Sequence, residues 1–335
     1  MALRVGIAGL GFGINHLHSC LTRDDCVVVA VADGAADRRA PAEALGIAGF
    51  DRAEDMVETA GLDALIIATP PHTRAGTIDA AKAKGVPLFL EKPIAGTPAA
   101  AEAVVAQLDG HRAMMGFSFR FHAPVQTLLA RIKGADLGAP QLGFGSYMFN
   151  WLPPSGNWLW DRETGGGFFN ENSCHLIDIV EAVMGRIERV YAEPFYGGDR
   201  PGPTGASVTF AIEGGASAAV TIGGHGVSGQ SRFPLLDVTF EHARARLIGA
   251  DHKWTGLELA VGQGDVMSFH ADPETLGRTR YSAALDHFFG SVRDGRPFEA
   301  TPEDGVRAVR VADAIYRSID AGAPAAVLDT KETGR

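Results

Sequence analysis

The amino-acid sequence predicts a doubly wound α/β domain followed by an α+β domain with a large, mostly antiparallel open sheet. In the first third, short apolar runs alternate with helical patterns, an order that is typical of a parallel sheet with helices on both faces. After about residue 120, strand-like runs follow one another across tight turns. The 335 residues also exceed what one hydrophobic core usually serves. We expect domains at 1–119 and 120–335, with the C-terminal helix packing back on the first.

The strand candidates of the first domain are continuously apolar, as in strands that are buried on both faces. They are Arg4–Ala8, Val27–Ala32, Ala64–Ala68, Pro87–Leu90 and Ala113–Phe117. The helix candidates between them are Ile14–Leu21, Ala35–Leu45, Thr73–Lys84 and Pro98–Leu108. The last of these begins well, because Thr97 is a good N-cap and Pro98 suits the first helical position.

In the second domain a glycine- and tryptophan-rich loop (residues 151–167) precedes a helix near Asn172–Met184. The strand candidates that follow are Arg189–Glu193, Ser207–Ile212, Ala218–Ile222, Leu236–Phe240 and Arg246–Ile248. Glu213-Gly214-Gly215 predicts a hairpin between two of them. Two helices are predicted near Arg278–Val292 and Pro302–Ile319, the second with Thr301 as its N-cap.

The composition excludes several classes of partner. The formal net charge is −10, which argues against nucleic acid and against an anionic membrane surface. No apolar stretch approaches the roughly 18 residues that a spanning helix needs, and Met1 leads directly into a strand, so no signal peptide is expected. The three cysteines form no Cys-x-x-Cys pair, which favours a reduced, cytoplasmic setting.

A glycine-rich turn, Gly9-Leu10-Gly11-Phe12-Gly13, closes the first strand and opens a helix. In a Rossmann domain the first glycine permits a tight turn, the second admits the pyrophosphate, and the helix N-terminus stabilises its charge. Asp33 ends the next strand about 20 residues later, where an acid binds the ribose hydroxyls. Asp33 would also repel a 2′-phosphate, so the sequence predicts NAD, with NADP less favoured. Arg38 and Arg39 lie near enough to soften that preference.

One position departs from this fingerprint. The residue three after Gly11 is Ile14, and the extra glycine is Gly13, so helix–strand packing is expected to shift slightly. The alternative interpretation is a Rossmann-like domain that binds another nucleotide or none.

The tripeptide Glu91-Lys92-Pro93 follows an apolar run, so Lys92 is expected at the carboxyl end of a buried strand. Ligands of open α/β sheets bind outside the carboxyl ends of the strands. The glycine turn and Lys92 should therefore face one crevice.

Taken together, several segments resemble the glucose–fructose oxidoreductase / inositol dehydrogenase / rhizopine-catabolism family, called Gfo/Idh/MocA, along nearly the whole chain. Besides the glycine turn, Asp33 and Glu91-Lys92-Pro93, they are Ala68-Thr69-Pro70-Pro71-His72-Thr73, Gly165-Gly166-Gly167 and Glu171-x-x-x-His175-x-x-Asp178. The resemblance implies a Rossmann domain, a domain built on a mostly antiparallel sheet and a nicotinamide cofactor. It also implies a sugar or cyclitol substrate and a homodimer or homotetramer packed through the sheet face.

By this resemblance Lys92 matches the active-site lysine, Pro93 a proline that is often cis, and His175 the catalytic histidine. Glu171 stands where many members carry an aspartate. Arg74 replaces a frequent histidine, Ser173 a common glycine, and Leu159 an arginine that contacts the cofactor in some relatives. These departures concern the substrate more than the redox core.

The residues themselves suit alcohol oxidation. A histidine accepts a hydroxyl proton near neutral pH, and a lysine ammonium stabilises the developing alkoxide. On a helix, Glu171, His175 and Asp178 share one face, so Glu171 joins the catalytic candidates and Asp178 either orients His175 or supports the helix. Glu171 and His175 also have metal-ligand spacing, but no third ligand is evident and no metal is predicted.

The predicted cofactor-binding residues are Gly9, Gly11, Phe12, Gly13, Ile14, Asp33, Arg38, Thr69, Pro70, His72, Glu91 and Lys92. The predicted substrate-binding residues are Arg120, His122, Trp158, Trp160, Glu171, Asn172 and His175. Arg120 is equally suited to an interdomain salt bridge, and tryptophans more often serve packing than sugar binding. Cys174 is interpreted as buried filler.

The sequence thus predicts an NAD-dependent oxidoreductase that transfers a hydride between the nicotinamide and a ring hydroxyl or ketone of a sugar, cyclitol or sugar derivative. Two alternatives remain open, a glycosidase assisted by transient NAD oxidation and a non-catalytic regulatory protein that binds NAD. We expect pocket loops to determine which sugar and which carbon react.

Overall fold

The computed structural model describes residues 2–226, 234–250, 252–271 and 280–328. The chain divides into two compact units. The first comprises 1–117 and 281–306, and the second comprises 118–280 and 307–335. The prediction placed a single boundary after residue 119; in the structure the first unit ends at Phe117 and includes the later segment 281–306.

The first unit is built on a six-stranded sheet in which every strand pair is parallel. Its strands are β1 (Leu3–Ala8), β2 (Cys26–Ala32), β3 (Ala48–Phe50), β4 (Ala64–Ile67), β5 (Leu88–Leu90) and β6 (Ala113–Met115). Its helices are α1 (Leu10–Cys20), α2 (Ala36–Glu43), α3 (Ala53–Thr59), α4 (Ala75–Lys84) and α5 (Pro98–Leu108). The predicted doubly wound domain is confirmed.

The strand order β3-β2-β1-β4-β5-β6 reverses direction between β1 and β4. Ligands of such sheets bind at this switch point, outside the carboxyl ends of the strands. The glycine turn follows β1, and Thr69 comes shortly after the end of β4. The strand order thus brings two of the predicted cofactor segments together.

Two elements of the first unit were not predicted, β3 and α3. The strand β3 has three residues, lies at the sheet edge and is largely exposed, so it carries no apolar run. The seven-residue helix α3 buries only Met56 and Val57. Short, weakly buried elements leave little periodicity in a sequence.

The second unit carries a nine-stranded sheet in the order β14-β13-β12-β11-β7-β10-β9-β8-β15. It begins with α6 (Ala123–Lys133), β7 (Pro140–Met148) and α7 (Cys174–Met184). The remaining strands are β8 (Ile187–Phe195), β9 (Gly205–Ile212), β10 (Ser217–Gly223), β11 (Leu235–Phe240), β12 (Ala243–Ala250), β13 (Lys253–Val261), β14 (Met267–His270) and β15 (Ala325–Ala326). The pair β7 and β10 is parallel and the other pairs are antiparallel, which confirms the predicted mostly antiparallel sheet.

The hairpin predicted at Glu213–Gly215 joins β9 and β10. Gly214 and Gly215 have φ values of 75° and 89°, a region that favours glycine. In contrast, α6, β7, β13, β14 and β15 were not predicted. Two glycines, Gly143 and Gly145, interrupt the apolar alternation of β7, the strand on which the sheet is centred.

The two last helices are α8 (Ser282–Asp294) and α9 (Pro302–Ala321). The predicted start of the first, at Arg278, lies outside the described residues. In the described parts of the chain, no helix combines the length and the apolar composition that crossing a bilayer requires.

Candidate functional site

The glycine turn is shaped by close packing at two of its glycines. Gly9 has φ 85°, and a Cβ there would lie 2.7 Å from the Thr69 backbone nitrogen. A Cβ on Gly13 would lie 3.1 Å from Ile7 Cγ2 and 3.3 Å from Ala68 Cβ. Gly13 therefore permits the close approach of α1 to the sheet that position 14 serves in the usual fingerprint. The close contact between helix and sheet is thus made at Gly13, one residue before the position that the usual fingerprint gives it.

Asp33 is fixed at the amino end of α1. Its Oδ2 accepts a hydrogen bond from the Leu10 backbone nitrogen at 2.8 Å, and Oδ1 accepts one from Ala35 at 2.9 Å. The carboxylate thus lies at the positive end of the helix, beside the glycine turn. Each oxygen retains a lone pair that a ribose hydroxyl would reach.

The two arginines after Asp33 differ in what they contact. The Arg38 guanidinium lies 3.6 Å from Asp33 Oδ2 and is mostly exposed, and it is the nearest group to the space that a Cβ on Gly11 would fill, at 3.7 Å. Arg39 instead donates to the Asp33 carbonyl and pairs with Asp51 and Glu43. Arg38 is therefore the arginine that faces the predicted ribose position.

The segment after β4 lies beside Gly9. Pro71–Thr73 forms one turn of 3₁₀-helix, with Thr69 and Pro70 half-buried before it and His72 exposed on it. Thr69 Oγ1 is a buried hydroxyl that no hydrogen-bond partner reaches among the described residues. A buried polar atom of this kind next to a helix N-terminus is consistent with a bound polar ligand.

Arg74 joins this segment to the turn Glu91-Lys92-Pro93, called the lysine turn below. The side chain is buried, and it donates to the Thr69 carbonyl through Nε at 2.9 Å and to the Pro93 carbonyl at 2.9 Å. It also donates to the Glu91 carbonyl. Arg74, which stands where related sequences often carry a histidine, thus joins the loops that follow β4 and β5.

Lys92 lies at the carboxyl end of β5, as predicted, and the Lys92–Pro93 bond is cis. The lysine is half-buried, with Nζ 5.8 Å from the centroid of the Phe12 ring. The preceding Glu91 is buried. Burial alone would raise its pKa, but the hydrogen bond from His16 and the positive charges of Lys92 and Arg74 outweigh this effect and lower it. Glu91 is therefore an ionised support of the turn.

In the second unit, Glu171 and His175 lie on either side of a junction between a π-helix and an α-helix. Phe169–Ser173 is a π-helix, and α7 begins at Cys174. Insertions of π-helix occur often at functional sites. The predicted helix near 172–184 is confirmed from Cys174 onward, but the regular spacing assumed between Glu171 and His175 is not, because the π segment lies between them.

The His175 ring stacks on Phe119, with centroids 4.5 Å apart and planes 20° from parallel. Phe119 is itself buried against Tyr147 and Trp254. His175 is buried, with 8% of the residue exposed, so the stacking on Phe119 restricts the orientation of its ring. Phe119 was not among the predicted site residues, because nothing in its local sequence indicates what its ring contacts.

Arg120 and Asp178 form a charge pair within the second unit. Arg120 donates from Nε at 3.2 Å and from a terminal nitrogen to the other carboxylate oxygen, a two-point contact of high geometric specificity. Asp178 is 3% exposed. This contact supports the interpretation of Asp178 as a structural residue of α7.

His122 requires a correction. It was predicted to contact substrate, but it is buried, its Nε2 donates to the Arg280 carbonyl at 3.1 Å, and its Nδ1 accepts from the Trp254 backbone nitrogen at 3.1 Å. Both ring nitrogens are occupied by backbone groups. The residue is a support of the second unit.

The two predicted tryptophans of the loop at residues 151–167 differ in their surroundings. Trp160 stacks near Phe168 and donates from Nε1 to the Pro154 carbonyl at 3.1 Å, whereas Trp158 is 38% exposed. Leu159 and Cys174 are buried, and the Cys174 thiol donates to the Glu171 carbonyl. Asn172 donates to the Phe168 carbonyl at 3.4 Å. Of the two predicted tryptophans, Trp158 is the more exposed.

Two buried contacts fix the start of the π segment. The Tyr316 hydroxyl accepts a hydrogen bond from the Phe169 nitrogen at 3.3 Å, and a Cβ on Gly167 would lie 2.2 Å from that hydroxyl. Gly167 also has φ 75°. A larger residue at this position would therefore collide with Tyr316.

Among the described residues, no group of three or more His, Cys, Asp or Glu side chains is arranged to hold a metal ion.

Comparison with known proteins agrees with these features. Residues 3–119 match the model of an oxidoreductase family with an NAD-binding Rossmann fold, and residues 125–249 match the model of the GFO/IDH/MocA C-terminal domain. The chain belongs to the Gfo/Idh/MocA family of oxidoreductases. The family resemblance and the dehydrogenase class predicted from the sequence are confirmed.

Individual members of the Gfo/Idh/MocA family are similar over almost the full length. The rhizopine catabolism protein MocA of Rhizobium meliloti is 27% identical over 93% of each chain. Inositol 2-dehydrogenase of the same species is 24% identical over 95% of this chain and 97% of its own. Levoglucosan dehydrogenase, solved as a complex with NADH, superposes with a TM-score of 0.84 at 18% identity, covering 98% of this chain and all of that one. These likenesses support the fold and the class of enzyme.

Proposed function

We propose that this chain oxidises a ring hydroxyl, or reduces the ketone, of a sugar, cyclitol or sugar derivative with NAD as the redox partner. The observation that carries the proposal is the position of Lys92. Its ammonium lies at the carboxyl end of β5, in the unit that carries the glycine turn, and 5.8 Å from the ring of Phe12 in that turn. Ligands of open α/β sheets bind outside the carboxyl ends of the strands, so this position supports a role for Lys92 at the proposed cofactor site.

The residues around α1 fit a dinucleotide. Gly9 and Gly13 bring the helix N-terminus close to the sheet, Thr69 presents a buried hydroxyl, and Asp33 presents a carboxylate. When bound, the nicotinamide would supply the chemistry of accepting or donating a hydride. Gly9 and Gly11 would admit the pyrophosphate, and Asp33 would bind the ribose hydroxyls.

We infer that NAD is preferred to NADP, because the Asp33 carboxylate would repel a 2′-phosphate. The exposed guanidinium of Arg38, 3.6 Å from Asp33, opposes this preference and is placed to pair with such a phosphate. The balance between these two charges determines how strict the preference is.

In the proposed mechanism His175 accepts the hydroxyl proton during oxidation and returns it during reduction. Lys92 stabilises the negative charge that develops on the same oxygen. Glu171, half-buried on the π segment, binds a neighbouring hydroxyl or takes part in the proton transfer. The stacking of Phe119 on the imidazole supports this role, because it restricts the plane of the ring that would exchange the proton.

The substrate class is supported by the relatives. One is named inositol 2-dehydrogenase, and a structural neighbour is named levoglucosan dehydrogenase, so a cyclitol and a sugar derivative are both represented. The experiment is NADH formation by the purified chain with a panel that includes myo-inositol, D-xylose and D-glucose. Formation of NADH with at least one polyol supports the proposal, and its absence with the whole panel contradicts it.

We further propose that the chain self-associates through the open face of the second unit's sheet. Cross-strand partners on this face run in one row, Tyr191, Thr209, Ala219, Phe144, Asp237, Arg246 and Glu258. Phe144 and the nearby Leu142 are 54% and 63% exposed. A central strand that exposes large apolar side chains between charges of both signs is typical of an interface between subunits.

A further inference from the structure

Two side chains of α1 reach the lysine turn. His16 Nε2 lies 2.6 Å from Glu91 Oε1, and the Phe12 ring centroid lies 5.8 Å from Lys92 Nζ. The two residues are four apart, so they lie on one face of the helix. The helix that follows the glycine turn therefore contacts both Glu91 and Lys92.

The His16 ring is enclosed by aromatic side chains. It is completely buried, packs edge-on against Phe89 with centroids 5.2 Å apart, and lies tilted against Tyr281 with centroids 5.0 Å apart. Among the described residues no partner reaches its Nδ1. The tautomer that carries its proton on Nε2 satisfies Glu91 and leaves no buried N–H without an acceptor.

Glu91 transmits this contact to the backbone of the next residue. Its second oxygen, Oε2, accepts a hydrogen bond from the Lys92 backbone nitrogen at 3.0 Å. One carboxylate thus joins an imidazole of α1 to the peptide that carries the lysine. Because a buried carboxylate is costly without hydrogen bonds, loss of the His16 donor would favour displacement of the Glu91 side chain, and with it the Lys92 peptide.

We propose that His16 is a positioning residue for Lys92, acting through Glu91, while Phe12 of the same helix holds the ammonium. This proposal rests on the proposed role of Lys92 in the reaction. It deepens that role, because the helix whose N-terminus is proposed to receive the dinucleotide is also the element that sets the direction of the lysine.

The test measures the reactivity of Lys92 and needs no turnover. The full-length chain is treated with an amine-acylating reagent, and modification of each lysine is followed by peptide mass spectrometry. We expect His16→Phe, which keeps an aromatic ring but removes the donor, to accelerate Lys92 modification about fivefold, the effect of losing one hydrogen bond. His16→Gln restores a donor and should keep the wild-type rate.

The lysines of other elements are internal controls. Lys84 at the end of α4 and Lys133 at the end of α6 should react at unchanged rates in every variant. An unchanged Lys92 rate in His16→Phe overturns the proposal. An equal acceleration at Lys84 and Lys133 also overturns it, because His16 would then be a general stabilising residue.

A second variant keeps the test decisive if His16→Phe does not fold. Phe12→Leu removes the ring beside the ammonium and keeps both the His16 donor and the Glu91 acceptor. We expect faster modification of Lys92 alone, and an unchanged rate overturns the assigned role of α1.

The kinetic measurement separates this proposal from the proposed function. With the polyol that wild type oxidises fastest, His16→Phe should lower kcat about tenfold, with KM for NAD unchanged and recovery in His16→Gln. If wild type oxidises no polyol in the panel, the proposed function fails. The acylation rates still determine whether His16 positions Lys92.

Discussion

The rings of Phe119 and His175 stack 4.5 Å apart and 20° from parallel. Phe119 lies in a short 3₁₀ turn, Ser118–Phe121, and His175 in the first turn of α7. Residues of distant sequence thus fix the plane of the imidazole that is proposed to move the proton. General acid–base catalysis depends on such placement, because the base must lie within hydrogen-bond reach of the proton.

We expect Phe119→Leu to lower kcat by about tenfold while affinity for NAD is retained, because the imidazole loses the surface that orients it. Steady-state kinetics with the best polyol and calorimetric titration with NAD measure the two effects. Phe149→Leu is the control, since this buried ring contacts Tyr147, Phe168 and His252. Equal losses in both variants would show that general packing, and not stacking on His175, is responsible.

Replacement of Asp33 should change the choice of cofactor. Asp33→Ser removes the charge that repels a 2′-phosphate and leaves Arg38 beside the site. We expect the ratio of kcat/KM for NADP to that for NAD to rise by about tenfold or more, which corresponds to ~1.4 kcal/mol. Asp37→Ser, on the exposed start of α2, should leave the ratio unchanged. The prediction fails if the two substitutions shift the ratio alike.

His122 should make the stability of the protein depend on pH. Burial lowers its pKa from the ordinary 6.5 to about 4, an effect that the Arg280 hydrogen bond opposes and the charges of Lys253 and Arg280 reinforce. Between these values the unfolded chain binds a proton and the folded chain does not. The free energy of unfolding should therefore fall as pH drops from 6.5 to about 4, by at most ~3 kcal/mol.

Urea unfolding at several pH values between about 7 and 4 measures this loss. His122→Gln cannot titrate, so its stability should be lower at neutral pH but depend less steeply on pH. His242→Gln, which removes an exposed histidine, should keep the wild-type slope. Parallel curves for wild type and His122→Gln would contradict the assignment.

A charge on the open sheet face should prevent self-association. Phe144→Arg places an unpaired cation in the centre of the proposed interface, where its desolvation is costly. We expect the mass measured by light scattering to fall to that of a single chain. Tyr196→Arg changes an equally exposed aromatic residue outside the strands and should leave the assembly intact. A wild-type chain that is already monomeric would refute the interface.

The sequence predicted the features that depend on local pattern. Continuous apolar runs gave the parallel strands, and the glycine turn with Asp33 indicated the binding end of the sheet. Lys92 was predicted at a strand end because strand, lysine and proline are adjacent in the chain. Each of these signals is a local pattern or a short fixed spacing along the chain, so periodicity, turn chemistry and motif spacing are sufficient to read it.

The contacts that support the site could not be predicted in the same way. His16 reaches Glu91 across 75 residues, and Arg74 reaches the Pro93 carbonyl across 19. Such pairs depend on which elements the fold brings together, and a single sequence does not report that. The π segment was missed for another reason, because it differs from an α-helix in its hydrogen bonding, which no pattern in its sequence indicated.

His122 shows the limit of reading chemistry from residue type. A histidine near the start of the second unit suited a substrate contact, yet burial and two backbone hydrogen bonds give it a structural role. The π-helix at Phe169–Ser173 likewise shows that Glu171 and His175 are not related by regular helical spacing.

The central claim is that Lys92 and His175 act on the same substrate oxygen. The most direct measurement compares NADH formation by wild type, Lys92→Met and His175→Asn on the best polyol of the panel, with NAD affinity of each determined by calorimetry. We predict that each substitution lowers kcat by about a thousandfold while NAD affinity changes less than about threefold. Turnover that is undiminished in both variants would contradict the account.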